Sequence, residues 1–228
     1  MKITTAFILC AGLGRRVLPL TNDTPKPLLK IKGVCLLENT INFLIKLKIE
    51  KIYINTFYLA EKISDFVENL SLPVEIKIIN DGPEILDTGG GILNLINHTD
   101  ENHILTFNPD TIWNEFYTET INQMEKCYFE KKAQNMLLVV KKQKSFDKKL
   151  SGDFNIEKNL LFKDEVNDFI FTGCQILDKN LFKNIKEKKF SISKIWNNLI
   201  EKKQLYGFEC NNDFQHVTDI EIYNKLNC

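Results

Sequence analysis

Several segments of the chain have residue types and spacings that suit phosphate chemistry. Gly12 and Gly14 precede Arg15 and Arg16, and Lys26 stands between Pro25 and Pro27. Glycines let a backbone approach an anion closely because no Cβ intervenes, and successive N–H groups can converge into an anion-binding nest. Arg16 and Lys26 add full positive charges. The two prolines fix φ on either side of Lys26 and limit where its ammonium can go. Together these residues predict a triphosphate cradle. Farther on, Asp87-Thr88-Gly89-Gly90-Gly91-Ile92 opens a predicted helix. Thr88 is its expected N-cap, and the three glycines would let a flat ring or a phosphate sit against backbone. Asp110 follows Asn108-Pro109 at the end of an apolar run. Ligands of an open parallel sheet sit beyond the carboxyl ends of its strands, and a carboxylate there is a good Mg²⁺ ligand.

The elements that must position these groups alternate. Residues 4–10 predict a first strand, apolar enough for a sheet covered on both faces. Residues 36–47 read as a helix with Leu37, Ile41, Leu44 and Ile45 on its inner side. Strand 51–55, helix 60–70, strand 74–79, helix 87–97, strand 103–107, helix 115–131 and strand 136–140 follow. This alternation predicts an α/β fold, a Rossmann-like three-layer sandwich around a mostly parallel sheet. Beyond residue 141 the pattern changes. Residues 141–149 read as a solvated basic loop, 152–156 with 159–162 as a hairpin, and 168–177 as a long strand with Gly173 in its middle. Helices at 179–185 and 193–203, a strand at 205–210 and a short helix after Glu221 complete the chain. The organisation expected is one domain over 1–228, with a nucleotide-binding half (1–140) and a sugar-phosphate-binding half (141–228).

Lys+Arg and Asp+Glu both number 30 in 228 residues. Zero net charge argues against a general electrostatic affinity for nucleic acid or membrane. The six cysteines form no Cys-x-x-Cys pair, so zinc and a disulfide scaffold are not expected. Most read as small core residues, and reduced thiols fit a cytoplasmic protein. His98, His103 and His216 complete no metal set and read as surface or packing residues. Phe57, Tyr58 and Trp113 read as aromatic core.

A Walker loop is absent, and Val17 stands where a dinucleotide fingerprint needs its third glycine. What remains, Gly-x-Gly-x-Arg followed by Pro-Lys-Pro, resembles the signature of the sugar-1-phosphate nucleotidylyltransferases, which make nucleotide sugars. The likeness extends to Thr88-Gly89-Gly90-Gly91-Ile92, Asn108-Pro109-Asp110-Thr111-Ile112-Trp113, Gly152-Asp153-Phe154 and Phe171-Thr172-Gly173. It is greatest with small bacterial members that use UTP and N-acetylmuramate 1-phosphate in peptidoglycan recycling. The resemblance implies that Ala11, Gly12 and Gly14 bind the nucleotide and that Asp87, Thr88, Gly89 and Gly90 lie by its base. It implies that Asn55, Gly152, Asp153 and Gly173 lie near the sugar phosphate, and that Asp110 and Asp219 hold a catalytic Mg²⁺. The partners implied are a nucleoside triphosphate and a sugar 1-phosphate, the state a monomer or small homo-oligomer.

In that chemistry a sugar-1-phosphate oxygen attacks the α-phosphorus of the triphosphate and pyrophosphate leaves. Positioning and electrostatics dominate such transfers. Arg16 would steady the pyrophosphate and Lys26 would reduce repulsion between the phosphates. Other pairs stay open: mannose, glucose or heptose 1-phosphate, or phosphocholine, with GTP, CTP or dTTP. Two residues depart from the family pattern. Pro109 stands where glycine usually precedes the first metal aspartate, and Glu221 where glycine commonly follows the second. A binding or regulatory relative without turnover is therefore the alternative.

Overall fold

The computed structural model describes residues 2–228. β1 (Thr5–Leu9) buries both of its faces: Ala6 and Ile8 join one apolar core and Phe7 the other. That two-sided burial explains its unbroken apolar run. Next come β2 (Lys30–Ile31), β3 (Val34–Cys35), α1 (Leu36–Lys46), β4 (Lys51–Thr56), α2 (Ala60–Glu68) and β5 (Glu75–Asn80). They are followed by α3 (Asp87–Ile96), β6 (His103–Phe107), α4 (Phe116–Glu130) and β7 (Asn135–Lys141). The last third holds β8 (Asn155–Glu157), β9 (Leu160–Phe162), β10 (Phe169–Asp178), α5 (Ser193–Glu201), β11 (Tyr206–Cys210) and α6 (Ile220–Asn227).

Nine strands form one sheet in the order β5-β4-β1-β6-β10-β7-β11-β9-β8. β5, β4, β1 and β6 run parallel. β10 lies antiparallel between β6 and β7, and β11 is parallel to β7. The β8–β9 hairpin joins the far edge through β11. Helices cover both faces. Leu37, Ile41 and Leu44 of α1, Ile63 of α2, and Tyr117, Ile121 and Met124 of α4 share one core with the sheet. Ile92 and Leu95 of α3 and Ile195, Trp196 and Leu199 of α5 share the other. Each fully buried Leu or Ile stabilises the fold by roughly 1.5–3 kcal/mol relative to exposure. A third, smaller cluster joins Val17, Leu29, Ile31 and Leu36 to Val217, Ile222 and Leu226, so α6 holds down the segment after β1. The three-layer, mostly parallel architecture is the one the alternation predicts.

The differences are local. The helix expected at 179–185 is a single 3₁₀ turn, Lys179–Phe182, because β10 runs on to Asp178, whose carboxylate caps the turn through the N–H of Asn180. Residues 141–149 are not a free loop. Lys141 ends β7, and Ser145 and Asp147 are buried, with Asp147 Oδ2 accepting from Thr218 Oγ1 at 2.6 Å. The β2–β3 hairpin was not expected. Lys32 and Gly33, both at positive φ, form its two-residue turn, a geometry the Lys-Gly pair permits. Trp113 is core, as expected, at 2% exposure. All six cysteines are free thiols, four of them buried. Among the described residues no helix is long and apolar enough to cross a membrane.

Candidate active site

β1 and β6 are parallel neighbours, with Ile8 opposite Phe107, so the segments that follow them leave the sheet at one edge. The turn after β1 is anchored first. Cys10 N–H donates to Asn55, to the backbone oxygen at 3.2 Å and to Oδ1 at 3.0 Å. Asn55 Nδ2 donates in turn to Asp81 Oδ2 at 2.8 Å, and Asn94 Nδ2 donates to Asp81 Oδ1 at 3.0 Å. Burial raises the Asp81 pKa, and the two amides oppose that rise. Gly14 is left-handed (φ 64°), and a Cβ there would come within 2.9 Å of Thr21 Cγ2. Thr21 Oγ1 donates to the Gly14 carbonyl, and Tyr58 Oη donates to the carbonyls of Thr21 and Asn22. Lys62 holds the Asp23 carbonyl. Tyr58 is thus a clasp on this loop rather than core. Among the described residues no protein acceptor takes the N–H groups of Ala11, Gly12, Leu13 or Gly14. A Cβ at Gly12 would meet no atom within 4 Å. These are the features of a cradle left open for an anion.

Opposite the cradle stands Asp110. Lys26 Nζ donates to its Oδ2 at 2.5 Å. Its Oδ1 is buried and has no partner. Burial works against the ionised carboxyl, but His216 and the adjoining Lys26 ammonium outweigh it and hold the pKa at about 2. Burial lowers the pKa of His216, Asp110 acting against that effect and Lys26 and Arg16 with it. His216 arrives by a short antiparallel pairing. Thr111 lies opposite it, Ile112 N–H donates to the Gln215 carbonyl and Val217 N–H to the Asp110 carbonyl. The imidazole Nε2 lies 3.5 Å from Asp110 Oδ2, and Nδ1 lies 3.0 Å from Thr111 Oγ1. His216 is packed, as expected, stacked against Phe214, and its packing brings the ring beside Asp110. Only a non-local strand pairing puts it there, so no signal in the local sequence marks it.

Other predicted residues are placed differently. Asp219 is the N-cap of α6: its Oδ1 accepts from Ile222 N–H at 2.9 Å, and it does not line the cleft. The residue of that segment facing Asp110 is His216. Asp87 and Thr88 do line the cleft, with Asp87 in the left-handed region (φ 61°). Thr88 is not the N-cap. The helix begins a residue earlier, and the Thr88 hydroxyl accepts from Ile192 N–H. Gly89 and Gly90 are packed against protein. A Cβ on Gly89 would strike the Phe190 ring at 2.4 Å, one on Gly90 the Lys188 carbonyl at 2.1 Å, and one on Gly91 the Asn55 amide at 2.6 Å. Gly152 is likewise pressed on the Asn167 carbonyl, and Gly173 (φ 91°) on Asn108. Asp153 accepts from Phe171 N–H at 2.9 Å. Of the four residues expected near the sugar phosphate, Asn55 alone lines the cleft; Gly173 packs behind the lining residue Asn108, while Gly152 and Asp153 pack on Asn167 and Phe171.

The cleft is about 450 Å³. Ala11 to Val17, Lys26, Asn55, Ile85, Asp87, Thr88 and Asn108 to Asp110 line it. Arg15 and Arg16 are exposed on its rim. Unpaired backbone donors and cations thus share the cleft with the half-buried Asp110 and the exposed Asp87. That arrangement can bind a polyphosphate and set an oxygen-seeking cation, or a substrate hydroxyl, on the unpartnered oxygen of Asp110.

The family model described as "Nucleotidyl transferase" matches residues 5–148. Over 94% of this chain and 91% of its own length, the N-acetylmuramate alpha-1-phosphate uridylyltransferase of Caulobacter vibrioides is 26% identical. The Bifunctional protein GlmU of Methanocaldococcus jannaschii is 29% identical over 96% of this chain, which spans 53% of that longer relative. HddC from Yersinia pseudotuberculosis, crystallised with GMP-PN, has the same fold, with a TM-score of 0.78, 21% identity and coverage of 99% of this chain and 98% of that one.

Proposed function

The chain belongs to the nucleotidyl transferase family, and we propose that it moves a nucleotidyl group from a nucleoside triphosphate to a sugar 1-phosphate, releasing pyrophosphate. The observation that carries this reading is the open row of N–H donors from Ala11 to Gly14, facing the Lys26–Asp110 pair across one cleft. UTP and N-acetylmuramate 1-phosphate are the favoured pair, on the likeness to the Caulobacter uridylyltransferase. The GMP-PN complex of HddC keeps the choice of base a property to be measured.

The N–H groups of Ala11 to Gly14 hold the β- and γ-phosphates, and Arg16 steadies the pyrophosphate as it gains charge. Lys26 stands beside the reacting phosphates and lessens their repulsion as the sugar phosphate closes on the α-phosphorus. Asp87 and Thr88 face the base, and Asn55 fixes the loop from behind through Cys10. Asp110 would hold a divalent cation, Mg²⁺ by the resemblance, and such an ion would neutralise phosphate charge. The remaining lining groups bind and orient.

A pyrophosphate-release assay with a panel of sugar 1-phosphates and nucleoside triphosphates tests the proposal. Turnover with at least one pair is expected, fastest with UTP and N-acetylmuramate 1-phosphate. A second reading, nucleotide binding without turnover, draws on one observation: a histidine rather than a second carboxylate faces Asp110. No turnover with any pair, while calorimetry still registers nucleotide binding, would select it.

A further inference from the structure

His216 Nε2 and the Lys26 ammonium both approach Asp110 Oδ2, at 3.5 and 2.5 Å, and the hydrogen bonds of Thr111 decide which ring nitrogen carries the proton. Thr111 Oγ1 carries one hydrogen and gives it to the Thr172 carbonyl at 2.7 Å. Toward His216 Nδ1, 3.0 Å away, that hydroxyl can only accept. The ring proton therefore sits on Nδ1, and Nε2 keeps its lone pair, the tautomer in which a metal-ligating histidine is held by its other nitrogen. Nε2 lies 3.5 Å from Asp110 Oδ2, too far for an N–H···O bond. On the same carboxylate, Oδ1 is buried and unpartnered. The ring is fixed on other sides too. Phe214 stacks on it with centroids 5.6 Å apart, and the Thr111–His216 bridge sets its backbone.

We propose that Asp110 and His216 Nε2 form a mixed oxygen–nitrogen site that takes a divalent first-row transition ion in preference to Mg²⁺. Magnesium is a hard ion that seeks oxygen and gives up water reluctantly. An imidazole nitrogen instead strengthens binding along the series that begins with Mn²⁺. Among the described residues no group of three or more His, Cys, Asp or Glu could hold a metal. Phosphate oxygens and water must then complete the shell, and to that extent the inference rests on the nucleotidyl-transfer reading. Asp219, spent on capping α6, supplies none of it. Thr111 is a positioning residue: it acts on the ion only through the imidazole.

Pulsed electron paramagnetic resonance of Mn²⁺ added to the full chain, alone and with α,β-methylene UTP, reads the site without turnover. The expected result is a nitrogen hyperfine coupling that changes when the protein is made with nitrogen-15 histidine and disappears in His216→Asp. Competition should show Mg²⁺ displacing Mn²⁺ more readily from His216→Asp than from the native protein. Thr111→Val should weaken Mn²⁺ by about 10–100-fold. Bound Mn²⁺ with no histidine coupling, no bound Mn²⁺ in either arm, or equal Mg²⁺ competition in native and His216→Asp protein would each overturn the proposal. The labelled native protein decides the matter even if a variant misfolds. Calorimetry with α,β-methylene UTP separates the two claims: no nucleotide binding would sink the nucleotidyl-transfer reading, while the Mn²⁺-alone spectrum still decides the ion site.

Discussion

Gly90→Ala and Gly12→Ala should fail in opposite ways. A methyl at residue 90 would lie 2.1 Å from the Lys188 carbonyl, so backbone must move. The 188–190 segment is also tied to the helix start, since Gly89 and Gly90 both donate to the Phe190 carbonyl, at 2.9 and 3.0 Å. Overpacking costs about 1–3 kcal/mol and one hydrogen bond lost as the segment shifts about 1 more, so Gly90→Ala should lose about 2–4 kcal/mol. At roughly 2–4 °C per kcal/mol for a chain of this size, Tm should fall by roughly 4–16 °C. A methyl at Gly12 meets nothing within 4 Å. It fills the cradle instead, so Tm should hold while the Kd for a nucleoside triphosphate rises about tenfold or more, about 1.4 kcal/mol. Differential scanning calorimetry and isothermal titration on both variants provide the comparison. If Gly90→Ala kept its Tm and lost nucleotide affinity, the glycine triplet would face ligand and the packing argument would be wrong.

Three further outcomes follow from the geometry. Lys26→Met, which keeps the stem and removes the ammonium from Asp110, should cut kcat by about 10²–10³-fold in the pyrophosphate-release assay, and an unchanged kcat would remove Lys26 from the chemistry. Asp219→Ala should cost about 1 kcal/mol in urea denaturation through loss of the α6 cap, and Asp219→Asn, which can still cap, should keep native stability and activity; loss of activity in a stably folded Asp219→Asn would return Asp219 to the metal assignment. Glu125 is buried and accepts from Ile3 N–H, and burial raises its pKa above the ordinary 4.5, with that hydrogen bond opposing. A raised carboxyl pKa gives stability that is full below 4.5 and is lost as pH rises through the folded value. Glu125→Gln should therefore gain on the native protein in urea melts near neutrality and lose that advantage on acidification, and a pH-independent difference would refute the shift.

What sequence made legible was what is local. β1, β6 and the glycine–arginine turn between them lie in continuous stretches whose periodicity and turn residues are sufficient. Lys26 and Asp110 were each legible singly, from the Pro-Lys-Pro run and from the end of an apolar strand, but their ion pair spans 84 positions and shows only in the structure. His216 was not. Its place is set by pairing between residues 110–112 and 215–217, about a hundred positions apart, and no window contains both partners. Asp219 illustrates the converse. A lone aspartate before a helix serves equally as ligand or cap, and the structure shows the cap, with Ile222 N–H donating to Oδ1. In the glycine triplet the sequence marks a close approach but not its partner: Phe190 lies against Gly89, the Lys188 carbonyl against Gly90 and the Asn55 amide against Gly91.

The antiparallel β10 has a consequence for how the chain comes together. β6 and β7 are successive strands, yet they never touch; β10 is inserted between them and bonds to both. A nascent chain that has emerged only as far as residue 168 carries β6 as a raw edge and β7 with that flank unpaired. Exposed strand edges of this kind are where chains stick to one another, and non-local pairings of this kind close slowly. Phe169–Asp178 is therefore the keystone laid after both abutments: until it has been made, the sheet around β6 and β7 cannot close.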